Sequence, residues 1–110
     1  MSIVSALNTA TQGMMVQATR LSAVSSNMAN VDTPGYQRLN VNPSTLTAST
    51  SPGVQATISQ AEGSSQDTSN VDPLTEMTGM IEAEDSFQAN ATVFETGADM
   101  WDMLVSIKRD

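Results

Sequence analysis

Residues 72–109 read DPLTEMTGMIEAEDSFQANATVFETGADMWDMLVSIKR, and this stretch decides the fold. Met80, Phe87, Phe94 and Trp101 recur every seven residues, and Ala83, Asn90, Gly97 and Leu104 fill the position three further on. A repeat of that length predicts one long amphipathic helix whose seam packs against another helix. Large side chains in one column and mostly small ones in the other would let a neighbour approach closely, with aromatic rings filling the gaps. Both Phe residues and the only Trp of the chain fall on this seam. Asp72 suits a capping acceptor and Pro73 the first helical position, where a missing N–H costs nothing. Lys108 and Arg109 stand at the end where the helix dipole favours cations.

A seam needs a partner, and the N-terminal third supplies one. Ile3, Leu7, Ala10, Met14, Gln17, Leu21, Val24, Met28 and Val31 alternate by four and three, interrupted only by polar Gln17. This predicts a helix from about Ser2, as N-cap, to Val31. At 1.5 Å per residue such a helix is about 45 Å long. Gly13 lowers local helix propensity by roughly 1 kcal/mol relative to alanine, so packing must supply what propensity does not.

The stop lies at Asp32-Thr33-Pro34-Gly35-Tyr36. Pro34 presets φ for the second position of a turn and Gly35 accepts the positive φ of the third, so Thr33, Pro34, Gly35 and Tyr36 suit a type II turn. The helix is therefore expected to end near Val31 or Asp32. Beyond it, Tyr36 to Val41 and Val54 to Ser59 alternate in the manner of short strands, together a hairpin. The Ser- and Thr-rich segments 42–53 and 62–70 read as loop or disorder. The expected architecture is mainly α: two long terminal helices pair as a coiled-coil-like hairpin around a short β-hairpin or loop. The expected units are 1–38, 39–71 and 72–110.

Composition closes several functional classes. A net charge of −8 with only four Lys and Arg argues against nucleic acid or anionic lipid as partner, because both attractions need clustered positive charge. With no Cys and no His, disulfides, thiolate sites and most transition-metal or general-base constellations disappear. No apolar run is long enough to span a membrane, and the N-terminus lacks the pattern of a cleaved export signal. Glu82, Glu84 and Asp85 fit a solvated acidic face better than a cation site, since no turn gathers oxygen ligands around them. Asn90-Ala91-Thr92 matches a glycosylation pattern by chance, mid-helix. The reading assigns no catalytic, cofactor-binding or metal residue and no cofactor.

The segment Ser26-Asn27-Met28-Ala29-Asn30-Val31-Asp32-Thr33-Pro34-Gly35-Tyr36-Gln37-Arg38 resembles the N-terminal signature of bacterial flagellar rod and hook axial proteins. Ser69-Asn70-Val71-Asp72, Glu76-Met77, Met80-Ile81-Glu82-Ala83, Gln88-Ala89-Asn90 and the run Leu104 to Arg109 are similar to that family's C-terminal helix. Longer members carry a β domain between these segments. The short connector here is similar to that of the short, proximal rod components, and Asp85 departs from the basic or polar residue expected there.

The resemblance implies a structural subunit of the flagellar basal-body rod, polymerising through its terminal helices into a helical tube. The implied partners are copies of itself, other rod proteins and the flagellar type III export apparatus. The implied location is the rod in the periplasmic space, reached without a cleaved signal peptide and without membrane insertion. The expected assembly seam is Leu7, Met14, Leu21, Val24, Met28, Met80, Phe87, Phe94, Trp101 and Leu104, with Thr33 to Tyr36 as the turn motif. A soluble helical-hairpin adaptor, or a hook or hook-junction component, is the alternative.

Overall fold

In the computed structural model, which describes residues 2–47, 52–63 and 67–109, the chain runs α1 (Ile3–Ala29), β1 (Leu39–Leu46), β2 (Gly53–Gln60) and α2 (Pro73–Arg109). The fold is mainly α, with a two-stranded antiparallel sheet between the helices. Parts of the two expected loops, residues 48–51 and 64–66, lie outside the described residues.

Both helix starts follow local chemistry. Ser2 Oγ accepts from Ser5 N at 3.1 Å, and Asp72 Oδ1 accepts from Leu74 N at 3.1 Å, each satisfying an amide that has no partner inside its helix. Helix α1 ends two residues before Val31. Asn30 leaves helical geometry at φ −111° and ψ 19°, while its side-chain amide donates to Ser26 O at 2.8 Å. Ser26 O thus accepts from both the backbone and the side-chain amide of Asn30, which closes the last turn.

The helices pair antiparallel. A side chain on Gly97 would press on Leu7, one on Gly13 on Asn90, and one on Gly79 would touch Val24; Arg20 pairs with Glu82 and Asn27 bonds Glu76. A Cβ at Gly13 would lie 2.7 Å from Asn90 Nδ2, and one at Gly97 2.7 Å from Leu7 Cδ2. Each helix thus offers a glycine notch to a side chain of the other, which fixes register and brings the axes close.

The sheet differs in extent from the alternation in the sequence. Strand β1 begins at Leu39 rather than Tyr36 and continues through Asn42, Pro43 and Ser44, residues expected in a loop. Residues 35–38 are drawn off by other partners: Gly35 N donates to Thr68 O, Asn70 N to Tyr36 O and Arg38 N to Asn70 Oδ1. Pro43 stands opposite Ala56, and a two-stranded ribbon tolerates it because each strand has an open edge. The hairpin packs on α1 through Val54 N, which donates to Gln12 Oε1 at 3.0 Å. Helix α1 is therefore central, with α2 along one face and the hairpin along another, and it buries Val16, Ala23 and Asn27 in addition to Ala10 and Val24 of the expected stripe.

Candidate functional site

Where α1, the turn, β1 and the first turn of α2 meet, two polar side chains are fully buried: Asn27 and Glu76, each 0% exposed. Burying either without partners would be costly. Asn27 uses both ends of its amide. Its Nδ2 donates to Leu39 O at 3.0 Å and to Glu76 Oε2 at 3.1 Å. Its Oδ1 accepts from Leu39 N at 2.8 Å and from the Tyr36 hydroxyl at 2.9 Å. The other Glu76 oxygen takes the Nε–H of Arg38, whose guanidinium also reaches Asn40 Oδ1. Asn70 accepts from Arg38 N at 2.7 Å. The result is a polar clasp that ties the end of α1, the chain leaving it and the start of α2 into one geometry.

The turn delivers Tyr36 and Arg38 to this clasp. Gly35 has φ 74°, and Tyr36 N donates to Thr33 O at 3.2 Å, the bond that closes a four-residue turn. Thr33, Pro34 and Gly35 are exposed, while Tyr36 is half-buried.

The expected seam residues separate into two groups. On α1, Val24 is buried, Leu7, Met14 and Met28 are half-buried, and Leu21 is exposed. On α2 the small column takes the inward position, with Ala83 at 1% exposure and Asn90 and Gly97 half-buried, and Gly79 half-buried one turn before Ala83. The large column stays open: Met80, Phe87, Phe94 and Trp101 are 36–47% exposed, and Leu104 is 51% exposed. The register puts Ile3 level with about Met100, so residues 101–109 extend past α1 by about 13 Å.

An open groove of about 650 Å³ runs between β1 and α2 across α1, lined by Val16, Ala23, Leu39 and Val41 with Arg20 and Glu82 at one side. Gln17 also lines it, and its Oε1 is buried with no hydrogen-bond partner among the described residues. Glu82 pairs with Arg20 at 2.7 Å, and among the described residues no three acidic side chains are grouped as a metal site would need. No helix among those residues is long and apolar enough to cross a membrane.

Two family models match the chain. Residues 7–37 match the flagella basal body rod protein model, and residues 63–107 match the flagellar basal body rod FlgEFG protein C-terminal model. The clasp joins the two matched segments, since Asn27 and Tyr36 lie in the first and Asn70 and Glu76 in the second. The chain belongs to the flagellar rod and hook family. It is 51% identical to the flagellar hook protein FlgE of Brucella suis biovar 1 over 41 residues, which is 37% of this chain and 10% of that protein. It is 44% identical to the flagellar hook protein FlgE of Rhizobium meliloti over 43 residues, 39% of this chain and 11% of that protein. The match thus spans about a tenth of the length of these curated relatives. The family is a structural component of the bacterial flagellum, and this rod and hook family chain carries its two terminal segments with a short hairpin between them.

Sequence reasoning named the turn but not the clasp. Asn27 sits one residue before Met28, which had the better claim to the seam by hydrophobicity. Glu76 reads as one more acid in an acidic first turn. The one available signal was the occurrence of Asn27, Arg38, Asn70 and Glu76 within the two quoted signatures.

Proposed function

We propose that this chain is a structural subunit of the flagellar basal-body rod, not an enzyme, and that copies of it polymerise through their terminal helices into a helical tube. The observation that carries this reading is the open column Met80, Phe87, Phe94 and Trp101 alongside a helix pair already closed on its small column. Monomeric proteins rarely expose apolar stripes of that length, and such stripes mark interaction surfaces. Leu7, Met14, Leu21, Val24 and Met28 supply the facing side of the seam, partly within the chain and partly to neighbours. Long paired helices resist torsion collectively, as a shaft transmitting torque must.

In this reading the partners are further copies and other rod proteins, and the site is the rod within the periplasmic space. The chain reaches it through the flagellum's own type III apparatus, and with no Cys in its sequence it has no disulfide to undo on the way. The units 1–38, 39–71 and 72–110 then act as two paired helices and the spacer between them. The similarity to hook proteins favours a second reading, a hook or hook-junction component.

The test is the composition of purified hook and basal-body particles. Retention of the chain at the level of the rod is expected. Its presence only distal to the rod would favour the hook, and its absence would overturn both in favour of a soluble adaptor.

A further inference from the structure

The α1–α2 register leaves α2 uncovered at one end. Leu104 continues the column of Ala83, Asn90 and Gly97 that packs on α1, yet it is exposed because α1 has already ended at its Ser2 cap, and Trp101 and Ile107 at its sides are exposed as well. At the other end of the same helix, Leu74, Met77 and Ile81 form a second exposed stripe, spaced by three and four residues. The exposed acids Asp99 and Asp102 flank the start of the tail's apolar residues and exposed Lys108 follows them, whereas the exposed acids Glu84 and Asp85 follow the stripe. Arg20 and Arg38 are already paired with Glu82 and Glu76. The two patches cannot meet within one copy, because Leu104 and Met77 lie about 40 Å apart along one helix.

We infer that the tail of one copy, Trp101, Leu104 and Ile107, docks on the Leu74, Met77 and Ile81 stripe of a second copy, with Lys108 against Glu84 and Asp85. Apolar surface then covers apolar surface, and opposite charges meet at the same end. A tail-to-tail contact would instead leave the acid-flanked stripe bare. The tail-on-stripe contact is heterologous, so every added copy presents a fresh tail and a fresh stripe, and growth continues as long as the rotation between copies does not close a ring. This rests on the reading of copy-to-copy assembly and deepens it by naming the two surfaces that mate.

Two variants of the full chain test it by sedimentation velocity: a tail variant with Leu104→Asp and Ile107→Asp, and a stripe variant with Leu74→Asp and Ile81→Asp. All four positions are exposed, so circular dichroism is expected to show the wild-type fold. Wild type should grow past the dimer as concentration rises, and each variant should stay monomeric. An equimolar mixture retains one good tail and one good stripe, so it should form a species of twice the monomer mass and nothing larger. Self-dimerisation of the stripe variant would mean tail-to-tail contact and overturn the inference. A monomeric mixture beside a polymerising wild type would overturn the docking while leaving the rod reading intact. A wild type that stays monomeric at every concentration would remove that reading and the inference together. Should an Asp variant unfold, charge exchange decides: Lys108→Glu should weaken self-association about tenfold, and adding Glu84→Lys with Asp85→Lys should restore it. Failure of that restoration, with the fold intact, also overturns the contact.

Discussion

Asn27→Ala removes the centre of the clasp. Four hydrogen bonds disappear, two donated by Nδ2 and two accepted by Oδ1, and Asn27 and Glu76 are both fully buried. At a net ~1 kcal/mol per bond the loss is about 4 kcal/mol, and the charge-assisted bond to Glu76 raises rather than lowers that figure. Small domains hold only about 5–15 kcal/mol in total, so the change takes a large share of the stability. With a urea slope of about 1.5 kcal/mol per M, the midpoint falls by roughly 2–3 M. Asn27→Asp separates hydrogen bonding from shape. It keeps size and acceptors but turns a donor into a carboxylate oxygen facing Glu76 Oε2, now 3.1 Å from the amide nitrogen it replaces. The loss should match or exceed that of alanine. Adding Glu76→Gln to Asn27→Asp returns a donor to the pair and should recover about half of the midpoint shift. Urea unfolding followed by far-ultraviolet circular dichroism measures all three. A wild-type midpoint for Asn27→Asp would refute the clasp as the element that joins the two helices.

Three further outcomes follow from the geometry. Gly35→Val forces a β-branched residue to φ 74°, at about 1–2 kcal/mol, and misdirects Tyr36; secretion should persist while incorporation into basal bodies falls, and unchanged incorporation would show that the turn does not matter. Gly97→Leu fills the notch that Leu7 occupies and should lower stability by about 1–3 kcal/mol in thermal unfolding, with partial recovery on adding Leu7→Ala. Phe87→Ala or Trp101→Ala should barely change monomer melting, since the rings are half exposed, yet abolish swimming and leave secreted, unassembled subunit. Glu82→Gln, which breaks only the exposed pair with Arg20, should swim nearly normally. The reverse pattern would make the acidic face the functional one.

What was legible in the sequence was what is local. Ser2, Asp72, Pro73 and Gly35 act through amides and dihedrals within three residues, so their roles can be read from residue type and position alone. The heptad columns were legible for the same reason. The strand limits were not, because Gly35 is held by Thr68, and Tyr36 O and Arg38 N by Asn70, some 30 residues on, which leaves only Arg38 O to bond Ala61 N just beyond β2. The clasp was hidden in the same way: Asn27 and Glu76 are 49 residues apart, and only the fold tells a buried partner from a solvated acid.

Periodicity also cannot say which of two adjacent columns faces the chain's own partner. Close packing decides it here. Gly13 and Gly97 let the axes approach until Ala83, Asn90 and Leu7 fill the space between them, and no ring would fit at that spacing. Had the pair closed on Phe87, Phe94 and Trp101 instead, the column offered to neighbours would have been Ala83, Asn90 and Gly97, with little apolar area to bury. An aromatic side chain buries about 150–250 Å² when covered, so leaving the rings outside holds the larger driving force in reserve for assembly. On the proposed rod reading, a monomer closed on small residues would be weak alone and strong among its copies, as suits a subunit that travels before it assembles.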